Sequence, residues 1–459
     1  YVNDKPHIGH AYTTIAADVL ARYYRLTGHD VFFLTGTDEH GLKIAEAAEK
    51  AGAPVQEHVD TMAAHFQSAW KALLISNDDF IRTTQPRHVS TVQGVVKKLM
   101  AQGDVVPGEY EGWYCKPDES FWTEMQVIKE DGKILCPECR RPVDKVKENT
   151  YFFKMSNYEK KLLDYLEAHP DFIQPESRRN EVLSFVKGGL RDLSITRTTF
   201  TWGIPFPEAA TGALKNPDEK HVVYVWFDAL INYITAPGYL QDEKRFEKWW
   251  PATVHIIGKE ILRFHAVIWP IMLMALGLEI PKKVFGHGWW TVEGKKMSKS
   301  VGNVIDPLVL ADEFGVDATR YFLLREVPFG VDGDFSRDSL IHRFNADLAN
   351  DIGNLVNRSL TMIEKYFEGV IPAFPEVNSN ELDNVLRSTA SGLAARLEKH
   401  MDSLAFSDAL AAIWEVTNQA NTYIERRAPW KLSKEGDKAG LASVMTHLAE
   451  SIRIVAWAV

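Results

Sequence analysis

His7-Ile8-Gly9-His10 opens a run that carries Ile8, Tyr12, Ile15, Val19, Tyr23 and Leu26, mostly at three- and four-residue steps. That spacing predicts one apolar face on a helix ending near Gly28. Val31 to Leu34 then reads as a buried strand, followed by the polar turn Thr35-Gly36-Thr37-Asp38-Glu39-His40-Gly41. A helix running into a short apolar strand and then a polar loop is a Rossmann-type pattern. Ligands bind such folds at the carboxyl ends of the strands.

A second motif, Lys296-Met297-Ser298-Lys299-Ser300, lies far downstream in a stretch rich in glycine and serine. The two motifs together suit a reaction on a nucleoside triphosphate. Imidazoles can donate to oxygens of the phosphate under attack, and ammonium groups can hold the departing pyrophosphate. The helix N-terminus adds positive potential for phosphate. Gly9 leaves the backbone open to a close approach by a nucleotide base. A lysine-rich surface loop is ordinarily just solvated, and histidines at a helix start ordinarily have no ligand. The whole pentad occurring with the histidine pair argues against both bland readings.

Between the motifs the pattern is α/β. From about Gly108 to Asp218 that alternation stops, and Trp113, Tyr114, Cys115 and the Cys136–Cys139 pair lie amid turn residues. This segment reads as an insertion. Alternation returns with a strand expected over Val222–Phe227, another over Thr253–Ile257, and Gly258-Lys259-Glu260 opening a helix. Val284-Phe285 lead into Gly286-His287-Gly288 and the lysine loop. From about Ile341 onward the chain reads as helix, over 345–367, 381–399, 407–426 and 438 to the end, with a proline-containing linker 371–380. That pattern predicts an antiparallel bundle. No internal repeat or low-complexity tract is visible.

The 459 residues exceed one ordinary domain. Hydrophobic residues at 45% and charged residues at 25% are usual for a soluble globular protein. No apolar run approaches the ~20 residues that span a bilayer. Three cysteines are too few for a disulfide framework, and the C-x2-C spacing of Cys136 and Cys139 suggests a metal knuckle or free thiols. The net charge of −10 excludes a polycation, so nucleic acid would have to meet local basic surface. The first residue is Tyr1 and the last stretch stops inside an apolar helical pattern, so both ends read as trimmed.

With these motifs and the bundle in place, the chain resembles the class I aminoacyl-tRNA synthetases, and within them the methionyl-tRNA synthetase family. The likeness covers nearly the whole chain, through 1–41, 226–269, 286–303 and 345–430. The related enzymes for isoleucine, valine and leucine carry a much larger editing insertion, and cysteinyl-type enzymes resemble the aromatic residues less well. The resemblance implies an α/β Rossmann-type catalytic core split by a connective insertion and followed by a C-terminal all-α helical bundle. The expected division is a first core half at 1–107, an insertion with a knuckle at 108–218, a second core half at 219–280, a lysine-loop region at 281–340 and an anticodon-binding bundle at 341–459.

The resemblance also implies roles. His7, His10, Lys296 and Lys299 match the family's catalytic residues, and these with Gly9, His287 and Ser298 match its ATP site. Tyr1, Asp38, Trp226, Ala229, Leu230, Tyr233, Ile261, Phe264, His265 and Trp269 match its methionine site, although many members have proline where Leu230 stands. A polarisable thioether packs well against such rings, Asp38 can pair with the substrate ammonium, and the tyrosine and histidine can offer polar contact to sulfur. The plain alternative is that Trp226, Tyr233 and Trp269 are core aromatics. Arg197 matches a position near the active site. Asn354, Arg358 and Trp430 match the family's anticodon readers; an amide, a guanidinium and an indole suit unpaired bases. Cys115, Asp118, Cys136 and Cys139 form a C-x2-D half-site facing a C-x2-C half-site, which is either a structural zinc site or a decayed knuckle.

The implied activity is ATP-dependent activation of L-methionine, with Mg2+, and its transfer to tRNA bearing the anticodon CAU, in the cytoplasm and away from membranes. The alternatives are another class I synthetase or adenylate-forming ligase with a different amino acid, or a non-catalytic tRNA-binding paralogue. Oligomeric state is left open by the sequence.

Overall fold

A computed structural model describes residues 2, 4–116, 120–122, 124, 126–130, 132–207, 220–297, 302–374 and 380–459. Tyr1, Asp118, Ser298 and Lys299 lie outside the described residues, and Lys296 is described through its backbone. The chain divides into two compact units, one of residues 1–6 and 29–287 and the other of residues 7–28 and 288–459.

The first unit is built on parallel strands. Leu34–Thr37 pairs in parallel with Asp79–Arg82. Val284–His287 lies between His255–Gly258 and Ile173–Gln174, parallel to both. The first strand therefore begins where the expected one, Val31–Leu34, ends. Apolarity suggested the earlier window, but hydrogen bonding decides. Phe33 donates its amide to Asp78 Oδ2, and its carbonyl accepts from the Asp78 amide, so the ladder proper starts one residue later. Gly36 is required there, because a Cβ would stand 2.1 Å from the Ile81 carbonyl oxygen.

The expected strand Val222–Phe227 is a strand only at Val222–Val223, antiparallel to Thr196–Arg197, and Val225–Leu230 is a helix. All nine residues from Val222 to Leu230 are buried, and a short run that is apolar on every side carries no periodicity to tell strand from helix. After His255–Gly258 the chain makes one tight turn at Lys259–Ile261, widens into π-helical turns at Phe264–Ile268 and runs on as the helix Trp269–Leu276, every residue of which is buried. Each large side chain removed from water there contributes roughly 1.5–3 kcal/mol, offset by the entropy of ordering it.

The segment 108–218 contains an antiparallel sheet in the order Ser120–Trp122, Val105–Cys115, Asp144–Phe153, Leu193–Ser194, with a small hairpin of Ile128–Glu130 and Lys133–Leu135. Helices Glu159–Ala168 and Glu176–Lys187 follow. Ile173–Gln174, between those helices, joins the parallel sheet through Val284–Phe285.

The second unit starts with the helix Ile8–Leu26. Its Asp18 is fully buried and accepts from Arg22 and from Arg320 on the helix Val316–Arg325, which fastens the two helices together. Removing one partner of such a buried pair costs about 3–5 kcal/mol. Strands Trp290–Val292 and Lys295–Lys296 form a hairpin, with Gly333–Phe335 parallel to the first. The two-residue turn has positive φ at both Glu293 and Gly294, the primed geometry that suits a twisted hairpin. Lys296 is thus the end of a strand rather than a loop residue.

The C-terminal region is helical. Phe406–Arg427 packs against Glu381–Ser391, Leu393–Asp402 and Lys438–Ala458. The single helix expected over 381–399 is two, parted at Gly392, the poorest helix former other than proline. The helix expected over 345–367 begins as wide π-helical turns at Phe344–Gly353 and becomes regular at Asn354–Phe367. Among the described residues no helix is long and apolar enough to cross a membrane.

Candidate active site

In the first unit the polar residues gather where parallel strands end. Asp38 follows Leu34–Thr37, Lys259 and Glu260 follow His255–Gly258, and His287 closes Val284–His287 in register with Gly258.

The loop after Leu34–Thr37 is pinned at each residue. The buried Glu39 accepts from Thr37, Thr84 and both Nε and Nη2 of Arg82, and its amide donates to Thr83. Trp202 donates its indole N–H to the Glu39 carbonyl and accepts from the amide of Gly41, whose φ of +104° favours glycine. His40 Nδ1 lies 2.7 Å from Asp228 Oδ2, and the other oxygen of Asp228 lies 2.6 Å from His88 Nε2. Asp228 is wholly buried. Burial opposes its charge, but His40 and His88 outweigh that and hold its pKa below the usual carboxylate value. Burial likewise opposes the charge on His40, yet Asp228, Asp38 and Glu39 raise its pKa above the usual one.

The aromatic residues singled out by the sequence come together. Trp226 and Phe264 stack face to face, with ring centroids 3.8 Å apart and planes 7° apart. Tyr233 lies against His255, His265 and Trp269 at centroid distances of 4.1, 5.6 and 6.0 Å. Ala229 and Leu230, beside Trp226 on the same helix, are buried, and Ile261 is half-buried. Asp38 is near enough to Tyr233 for its charge to raise the phenol pKa, after the larger effect of burial. Trp269 is 0% exposed, so it backs Tyr233 rather than forming an open wall.

The hydrogen bonds fix the tautomers. His265 Nδ1 lies 2.9 Å from the Ile261 carbonyl, which can only accept, so Nδ1 carries the proton. Burial lowers the His265 pKa to about 4 and that of His255 to about 3, so both rings are neutral at pH 7. Nε2 of His265 therefore accepts from the Tyr233 hydroxyl, 2.8 Å away. Both protons are committed, and the Tyr233 oxygen presents lone pairs alone. His255 Nε2 accepts from the indole N–H of Trp269 at 3.2 Å. Neither His255 nor the His40–Asp228–His88 set was found from sequence, because single histidines without spacing to a partner carry no signal.

In the second unit His7 and His10 cap the helix Ile8–Leu26 reciprocally. His7 Nδ1 accepts from the Gly9 amide at 3.0 Å, and His10 Nδ1 accepts from the His7 amide at 3.2 Å. An amide can only donate, so in the neutral rings Nε2 bears the hydrogen of each imidazole. Burial and the neighbouring His7 push the His10 pKa well below its usual value. The rings lie 4.0 Å apart. A side chain at Gly9 would press on the His7 ring at 2.9 Å. The amide of Ile8 donates to the Ile305 carbonyl, which ties the helix start to the segment beyond the lysine motif.

In the helical region Asn354 is exposed on the first turn of its helix. Arg358, one turn on, is half-buried and donates to Glu425 Oε1 at 2.6 Å. Glu425 is near the end of Phe406–Arg427, which turns at Ala428, with φ +45°, into the helix Pro429–Glu435 carrying Trp430. Trp430 is 43% exposed.

Cys115, Cys136 and Cys139 bring their sulfurs within 4.8 Å of one another, and Cys115 and Cys139 Sγ are 3.5 Å apart. Tetrahedral zinc with Zn–S near 2.3 Å places its sulfurs ~3.8 Å apart, so these three thiols fit the metal. Cys136 and Cys139 are presented by a tight turn, closed by the Arg140 amide on the Cys136 carbonyl and the Cys136 amide on the Arg141 carbonyl.

The chain matches the family described as tRNA synthetases class I (M) over residues 1–145 and 141–360. It is 56% identical over 457 residues to a methionine–tRNA ligase of Caldanaerobacter subterraneus subsp. tengcongensis, covering 99% of this chain and 69% of that one. It is 52% identical to the methionine–tRNA ligase of Thermotoga maritima, covering 99% and 71%. Among solved structures it is similar to Mycobacterium tuberculosis methionyl-tRNA synthetase bound by methionyl-adenylate. The TM-score is 0.93 and the identity 47%, over 99% of this chain and 88% of that one.

Proposed function

Because the chain belongs to the class I tRNA synthetases of the methionine group, we propose the following division of labour among its residues. The protein is a methionine–tRNA ligase: it uses ATP to activate L-methionine and transfers the amino acid to its tRNA. In the first step a methionine carboxylate oxygen bonds to the α-phosphorus. The bond to the β-phosphate breaks, and pyrophosphate leaves with the electron pair. In the second, a hydroxyl of the terminal ribose of tRNA takes the acyl group and AMP leaves.

Asp38 meets the substrate ammonium, and Trp226, Ala229, Leu230, Tyr233, Ile261, Phe264, His265 and Trp269, with Tyr1, receive or back the side chain. His7 and His10 donate through Nε2–H to phosphate oxygens, where charge builds as the carboxylate attacks. Such preorganised donors are each worth about 2.7–4 kcal/mol at the barrier. Lys296, Ser298 and Lys299 hold the pyrophosphate, Gly9 and His287 border the nucleotide, and ATP enters with Mg2+ as substrate. The reading that goes with these roles is a Rossmann-type core at 1–107 and 219–280, a connective insertion at 108–218, a lysine-loop region at 281–340 and an anticodon-binding bundle at 341–459. Ile173–Gln174 then belongs to the core sheet. Asn354, Arg358 and Trp430 read the CAU anticodon. Cys115, Cys136 and Cys139, with Asp118, hold one structural zinc, which ties the insertion together and takes no part in the chemistry.

The observation that carries the roles in the first step is the tautomer pair at the helix start, which leaves the hydrogen of each neutral imidazole on Nε2 in a chain of this family. The test is amino-acid-dependent ATP–pyrophosphate exchange. Methionine should drive it, and leucine and isoleucine should be far poorer; stimulation by another amino acid above methionine would overturn the reading of the pocket.

A further inference from the structure

The buried set His40–Asp228–His88 serves none of the roles above, yet it joins three elements of the first unit. His40 belongs to the loop that begins with Asp38, Asp228 to the helix Val225–Leu230 that carries Trp226 and Ala229, and His88 to the helix Pro86–Ala101. Asp228 and His88 have no exposed side-chain surface and His40 keeps 7%. A wholly buried carboxylate costs several kcal/mol in desolvation unless it is fully engaged, and here each oxygen takes one imidazole. His88 is braced in turn by Thr235, whose hydroxyl lies 3.3 Å from its Nδ1.

We propose that Asp228, acting through His40, is a positioning residue for methionine binding. It fastens the Asp38–His40 loop to the helix bearing Trp226 and Ala229, so that the carboxylate meant for the ammonium group and the wall meant for the side chain keep a fixed separation. The inference rests on the reading that Asp38 meets the ammonium. The raised pKa of His40 and the lowered one of Asp228 agree with a strong contact between them. Since Nδ1 makes the fastening bond, a direct action on substrate would have to run through Nε2, and the two atoms can be tested apart.

Two conservative variants separate this from the alternatives. Asn at position 40 can place its amide N–H where Nδ1 stands and keep the bond to Asp228. Gln reaches the place of Nε2 and loses that bond. The binding of methionine and of its analogue lacking the amino group (4-methylthiobutanoate) is measured on each full-length variant by competition in pyrophosphate exchange, with thermal unfolding alongside. His40→Gln should weaken methionine by about tenfold to a hundredfold, the scale of a small misplacement. The analogue should change within about twofold for His40→Gln, and both ligands should change within about twofold for His40→Asn. Equal loss for methionine and analogue would overturn the proposal. So would a His40→Gln variant that binds normally while His40→Asn fails, which would mean direct contact through Nε2. So would lower stability with unchanged binding in both, which would mean a purely structural role. Asp38→Asn is the separate control: if it leaves the preference for methionine over the analogue intact, the ammonium reading itself is what fails.

Discussion

Tyr233→Phe isolates one hydrogen bond whose geometry is fully determined. The Tyr233 hydroxyl donates to His265 Nε2 at 2.8 Å, and His265 Nδ1 is committed to the Ile261 carbonyl at 2.9 Å. Phenylalanine therefore leaves Nε2 as a buried acceptor without a partner, and the ring cannot recover by changing tautomer without losing the other bond. An unpaired buried acceptor costs about 1–3 kcal/mol. In the empty enzyme a water can stand in for the lost hydroxyl. In the proposed pocket, bound methionine displaces it. The cost then falls on binding, and the Michaelis constant for methionine should rise by roughly five- to 150-fold. The constant for ATP and the turnover number should move little, because nothing ties Tyr233 to the phosphates. Steady-state exchange with each substrate varied in turn reads all three. Norleucine, which has a methylene in place of sulfur, should lose about as much affinity as methionine, because the tyrosine has no proton to give to sulfur. A loss confined to methionine would refute the tautomer argument, and so would an unchanged Michaelis constant with unchanged stability.

Four other outcomes are expected. Lys299→Ala should slow adenylate formation by on the order of 3 kcal/mol at the barrier while weakening ATP binding much less; single-turnover kinetics separate the two, and the reverse pattern would contradict the pyrophosphate role. Trp430→Ala should weaken tRNA binding by about 1–3 kcal/mol, the worth of one stacked base, with pyrophosphate exchange intact; an equal fall in both activities would make the residue a packing element. Elemental analysis should find one zinc per chain, lost in Cys136→Ser; metal-free protein with normal activity would favour a decayed knuckle. Finally, His265 titrates near 4 when folded against 6.5 unfolded. Between those values the unfolded chain binds a proton the folded one refuses, so the contribution of this group to stability is full above pH 6.5 and falls by about 3 kcal/mol as pH drops toward 4. Unfolding free energies across that range should fall more steeply in the unaltered protein than in His265→Gln.

The helices were legible because their larger apolar residues recur at three- and four-residue steps, as Leu441, Val444, Met445 and Leu448 do. Ile8–Leu26, Phe406–Arg427 and Lys438–Ala458 lie within a residue or two of their sequence readings. The strands were less so. Thr35, Gly36 and Thr37 look like a turn and are a strand, because the partner Phe80–Arg82 supplies the ladder and no local pattern announces it. Phe227 looks like a strand residue and is helical, because its whole neighbourhood is buried and a residue hidden on all sides has no face. In the candidate site the aromatic cluster was readable through resemblance, residue by residue. The set His40–Asp228–His88 was not. Its members are 188 and 140 residues apart, and nothing in a linear pattern marks a carboxylate that will meet two imidazoles only after the helix and loop have packed.

The reciprocal caps at the start of Ile8–Leu26 put positions 7 and 10 under two selections at once. Asn or Ser at 7 would satisfy the helix, since both accept from a backbone amide, and Gln at 10 could complete the reciprocal bond. Ser has no N–H in its side chain, and the carboxamides of Asn and Gln, which accept through oxygen and donate through nitrogen, place that N–H elsewhere than imidazole Nε2. Imidazole is the one side chain that accepts through one ring atom while donating through another on the far side. A variant library sorted by folding alone should therefore drift freely at both positions among cap formers. The same library sorted by adenylate formation should return histidine, and the gap between the two outcomes measures how much of the motif belongs to architecture and how much to chemistry.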